Sequence, residues 1–138
     1  MADWAGPLAA AVRNLLITDP AVKAITTRVY PMGSADNPAY PYITYVCPLT
    51  DRQEYCYAVS DPQLNIVRLQ VDVWATTYTG AVALYDAVFA CLGKAQVTVS
   101  GWGTAKIFPD VAGGVISEEV SGTKIWRGMR RYWVMLAQ

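Results

Sequence analysis

Apolar positions recur at helical spacing in two parts of the chain and alternate with polar ones in others. In the first part Leu8, Ala11, Val12, Leu15 and Leu16 make one stripe, which predicts a helix over about 7–17. Pro7 suits an early helical position, Asp3 or Gly6 gives the start signal, and Thr18-Asp19-Pro20 ends it. Asp19 before Pro20 then reads as the N-cap of a short helical segment over 21–25. The second stripe holds Ala81, Leu84, Tyr85, Val88, Cys91 and Leu92, predicting a helix over about 80–93 with Gly93 as its capping glycine.

Strand signals fill much of the rest. Val29-Tyr30-Pro31 is a short extended piece, followed by a loop over 32–40 rich in Gly, Ser, Asp, Asn and Pro. The run 41–47 is dense in branched and aromatic residues. The stretch 51–60 reads as a second strand or an extended arm. Over 64–75, Val67, Leu69, Val71 and Val73 alternate with Arg68, Gln70 and Asp72, so one face meets a core and the other is polar. Strands are expected over 95–100 and 105–108, with a turn at Gly101-Trp102-Gly103. A hairpin over 113–120 and 123–136 turns at Ser121-Gly122. Strands in series with short connections predict an α+β fold. Its sheet is mostly antiparallel, with the N-terminal helix and one central helix packed on one face. A length of 138 residues suits one domain over 1–138.

Composition changes this picture in one respect. Apolar residues make up 54% of the chain and charged residues 16%, against about 25% charged in an average domain. Nine Tyr and five Trp outnumber two Phe. Such a chain has few charges to cover its surface, and Tyr and Trp suit interfaces because each joins an apolar ring to a polar tip. Association with further copies or with a partner is therefore expected.

Charge and chemistry mostly exclude. Eleven basic and eleven acidic residues cancel, which disfavours a dedicated nucleic-acid binder. No histidine is present, which removes histidine-based catalysis and metal ligation. Cys47, Cys56 and Cys91 are too few and too scattered for zinc, and their odd number, with no basic signal-like start, suits reduced thiols in a cytosol. No catalytic residue, cofactor site or metal site is assigned, and no segment is apolar for long enough to span a membrane. Glu118 and Glu119 are adjacent on a strand and point to opposite faces. Arg127, Arg130 and Arg131, interleaved with Trp126, Tyr132 and Trp133, form the one basic cluster. Stacking and phosphate contacts to nucleic acid are one reading of it. A subunit interface fits the zero net charge better, and Arg130 and Arg131 face opposite ways. The last strand carries large apolar groups on both faces, so it is expected to pack on the core and on a neighbour. Candidate interface residues are Tyr55, Tyr57, Trp102, Arg127, Arg130, Arg131 and Trp133.

The order of pieces resembles a known family. A helix leads into Asp19-Pro20-Ala21-Val22-Lys23-Ala24-Ile25 and Arg28-Val29-Tyr30. A Pro41-Tyr42-Ile43 strand start follows, then Val71-Asp72-Val73-Trp74-Ala75 running into a helix that ends at Leu92-Gly93. This succession, over about 8–137, resembles the phage tail-completion family, also described as tail-terminator or head-tail joining proteins. The resemblance implies a non-enzymatic α+β subunit of a homo-oligomeric ring, a hexamer, within the virion tail or neck, assembled in the host bacterial cytoplasm. Such a ring caps the head-proximal end of the tail tube, ends its polymerisation and faces the head-tail connector protein. Its partners are further copies and the major tail tube protein, and DNA passes through the lumen without being read. Another neck adaptor, such as a connector stopper, or a minor tail protein is the alternative. A small enzyme or ligand-binding domain is a third reading, disfavoured by the missing histidine.

Overall fold

The computed structural model describes residues 5–33, 38–47, 54–55, 64–101 and 103–137. Helix α1 spans Ala5–Thr18 and the single turn α2 spans Pro20–Lys23. Strands β1 (Val29–Pro31), β2 (Tyr42–Val46), β3 (Glu54–Tyr55) and β4 (Leu64–Ala75) follow. Helix α3 (Tyr78–Leu92) leads to β5 (Gln96–Val99), β6 (Gly103–Val120) and β7 (Thr123–Ala137). The fold is α+β: one sheet in the order β1-β2-β4-β7-β6-β5, with β3 also paired to β4. Every pairing is antiparallel except β1 with β2, which is parallel.

The helix signals act as read, with shifted ends. Asp19 caps α2 by accepting from the Val22 amide at 3.1 Å, with Pro20 inside the first turn. Thr77 caps α3 through its hydroxyl, which accepts from the Gly80 amide at 3.1 Å, so the helix starts at Tyr78, two residues before the expected position. Gly93 does end α3, but not by left-handed geometry: its φ is −64°, and Lys94 takes the positive φ of 67°. The reason for glycine is closeness. Its amide donates to the Phe89 carbonyl at 2.7 Å, and a Cβ there would sit 2.8 Å from that oxygen.

The last two strands differ most from expectation. One strand, β6, replaces two short pieces around 105–108 and 113–120. It survives Pro109 and two glycines because register shifts between Pro109 and Ala112, and again before Gly114, absorb the misfit against β7. Gly113 allows that approach, since a Cβ there would lie 3.0 Å from the Met129 carbonyl oxygen. Ser121 and Gly122, with φ of 53° and 79°, form the tight turn, as two positive-φ residues favour. β4 ends opposite Trp126, so 118–125 run on beyond it as a two-stranded ribbon. β5 pairs only with Gly103–Lys106, so it flanks just the start of β6.

Both long helices pack on one face of the sheet, α3 against β4, β6 and β7, and α1 against β1, β5 and α3. Leu8, Val12 and Leu16 of α1 and Ala81, Leu84, Val88 and Leu92 of α3 are buried there. They meet Ile43, the alternating Val67, Leu69, Val71 and Val73, and Ile107, Tyr132 and Val134 from the neighbouring strands. This is the core that the period-2 pattern of β4 announces. The other face carries no helix.

Candidate functional site

Every second residue of β4 and β7 projects from that helix-free face. Register sets Trp74 beside Arg127, Asp72 beside Met129, Gln70 beside Arg131 and Arg68 beside Trp133. Asp72 is 0% exposed although it stands on the open side of the sheet. A buried carboxylate requires partners. Arg127 supplies them diagonally, donating from Nε at 2.9 Å and Nη2 at 2.5 Å to Asp72 Oδ2. Gln70 Nε2 donates to Asp72 Oδ1 at 3.0 Å, and its own Oε1 accepts a long bond from Arg131 Nε at 3.4 Å. Arg127 Nη1 reaches Glu118 Oε1 at 3.2 Å, so Glu118 acts in a salt bridge rather than as half of an acidic pair. Burial alone would lower the Arg127 pKa, but its bonds to Asp72 and Glu118 outweigh that and hold it above the usual value. The result is one polar chain across three strands, Glu118–Arg127–Asp72–Gln70–Arg131.

Aromatic groups flank that chain. On one side Trp74 stacks on Tyr42 with ring centres 5.8 Å apart and donates its Nε1–H to Thr44 Oγ1 at 3.1 Å. The Arg127 guanidinium lies 5.0 Å from the Trp74 ring centre, and Tyr40 packs on Tyr42. On the other side Arg68 covers the Trp133 ring at 4.4 Å. There Ile66, Phe108, Trp133 and Met135 line a shallow groove of about 280 Å³. The arrangement is a flat face with an ordered polar spine between an aromatic flank and an apolar groove. Among the described residues no three Cys, Asp or Glu come together as a metal site would need.

Of the residues picked from sequence, Arg127, Arg131 and Trp133 meet on this face. Arg130 does not: it stands on the helix-covered side with its guanidinium 3.9 Å from the Phe89 ring centre. Its Nε is buried without a partner among the described residues. Tyr55 lies in β3, paired with Asn65 of β4. Tyr57 and Trp102 lie outside the described residues. Sequence reasoning assigned Asp72 and Gln70 only to a polar face and passed over Trp74 and Tyr42. The alternation in β4 held the direction of Asp72 but not its depth, which depends on the register against β7.

A family model described as tail completion protein gp17 matches residues 10–131. The chain belongs to the tail completion protein gp17 family. It is thus a structural phage tail protein, in line with the resemblance read from the sequence. A chain from a structure titled "Virion of native gene transfer agent (GTA) particle" shares its fold, with a TM-score of 0.75 at 18% identity over 100% of both chains. No curated protein matches the chain.

Proposed function

We propose that this tail completion protein is one subunit of a closed, hexameric ring seated on the head-proximal end of a tail tube. There it stops tube growth and presents a surface to the head connector, while DNA passes through the lumen unread. The observation that carries this reading is the family match over 10–131, joined to a sheet with one face bare of helices. The similar chain from a virion particle agrees with a place in an assembled structure. The bare face has the makings of a contact surface: Arg127, Arg131 and Trp133 are held in place by bonds and ring contacts within the subunit, so docking would cost little side-chain entropy. A ring needs a head-to-tail interface that closes on itself.

Native mass spectrometry of the protein, free and bound to purified tail tubes, tests the ring; a discrete closed multimer is the expected result. Electron microscopy of particles assembled without the protein tests the role. Over-long tubes are expected, whereas normal tubes beside tailless, DNA-filled heads would make it a neck adaptor instead.

A further inference from the structure

Strand β6 carries two separate exposed apolar sites. At one end Phe108, 38% exposed, borders the groove formed with Ile66, Trp133 and Met135. At the other, Ile116 and Val120 are 55% and 43% exposed on and beside the ribbon that overruns β4. Phe108 and Ile116 lie roughly 20 Å or more apart along the strand at about 3.3 Å per residue, so one subunit cannot seat its own ribbon in its own groove. One site is convex and the other concave. Their charges also differ in sign. The ribbon holds Glu118 and Glu119 against a single Lys124. Around the groove stand Arg68, Lys94 and Lys106 against Asp110; Lys94 and Lys106 line a second hollow that shares Phe108.

From this pairing we infer that the β6–β7 ribbon of one subunit docks into the Ile66–Phe108–Trp133–Met135 groove of the next copy. The inference rests on the ring reading and names its interface. Ile116 and Val120 fill the groove, and the ribbon carboxylates face the basic rim. Because the two halves of the contact sit at different places on the chain, each subunit offers a free ribbon and a free groove. Such a contact repeats head to tail and closes only through rotation. Opposite charges at the rim fix which end goes where and oppose a ribbon-to-ribbon pairing.

The double variant Phe108→Cys/Ile116→Cys tests it in the full chain. Oxidation is expected to produce a ladder of covalent multimers ending at the mass of the ring, absent from each single variant. Separately, Ile116→Asp is expected to weaken assembly tenfold or more while leaving the melting temperature nearly unchanged, since Ile116 lies at the surface. A ring that forms without the ladder and tolerates Ile116→Asp overturns the interface and leaves the ring reading standing; a tube protein in the groove would give that result. A chain that forms no multimer, free or on tubes, overturns both.

Discussion

Val71, Asp72 and Val73 follow one another in β4 and are 2%, 0% and 1% exposed. The two valines lie under the helices, while the aspartate is buried on the bare side. The two faces of one sheet thus reach equal depth by different physics. The helix side excludes water with apolar side chains, whose contribution grows with area and needs no exact partner. The bare side excludes water from Asp72 with a lid of Arg127 and Gln70, where each bond depends on the others. The first kind of burial holds a fold together. The second keeps a face rigid and polar enough to stay soluble until something docks on it.

Removing one side chain from each side should separate these two modes. The larger loss is expected on the helix side. Leu84 is fully buried between α3 and the sheet, and Leu84→Ala should cost about 4 kcal/mol, from lost transfer energy plus the cavity left behind. Urea denaturation checks this, and a loss under about 1 kcal/mol would mean that α3 packs more loosely than described. On the bare side Arg127→Met should cost about 3 kcal/mol, because it strands the Asp72 charge. Here the second substitution tells more than the first. Adding Asp72→Leu should recover much of the loss, since a buried ion pair is often replaced by apolar groups at little cost. If the two changes simply add in a double-mutant cycle, the carboxylate and guanidinium are not coupled and the polar spine is not a unit.

How much of this could be read from sequence follows the same division. The helix side was legible because its signals are local: a 3.6-residue stripe in α1 and α3, a 2-residue alternation in β4, and caps at Asp19 and Thr77. The Ser121-Gly122 turn was equally plain. The parallel β1–β2 pair was not, because short connections argue for antiparallel neighbours and the pairing partner of a three-residue strand leaves no local trace. The continuity of β6 was hidden by Pro109, Gly113 and Gly114, which locally signal an end and here mark bulges. On the bare side composition named Arg127, Arg131 and Trp133. The residues they lock onto, Asp72, Gln70 and Trp74, sit 50 or more positions earlier and meet them only through the β4–β7 register. Arg130 shares their composition but faces the helices, as strand alternation requires.

Alkaline pH sharpens the comparison by acting mainly on the helix side. Cys47 and Cys91, partly buried against the core, have pKa values pushed from 9.0 up to about 12. Burial is the main cause for both, and the Asp19 carboxylate adds to it for Cys91. Burial also raises Tyr45 and Tyr132, both on the core side. Below pH 9 these thiols are protonated whether the chain is folded or not, so they contribute no pH dependence. Between about 9 and 12 the unfolded chain releases protons that the folded chain keeps, so unfolding is favoured and stability falls as pH rises. Urea midpoints should therefore decline steadily from pH 9 upward, and Cys91→Ala should flatten part of that slope. The same cause predicts reactivity: at pH 8 both thiols should alkylate about a hundredfold or more slowly in the folded chain than in urea. Peptide mass mapping reads each cysteine separately. Should Cys91 label at the denatured rate while the protein stays folded, the α1–α3 seam beside it admits water, and the contrast drawn between a dry face and a wired one fails on its dry side.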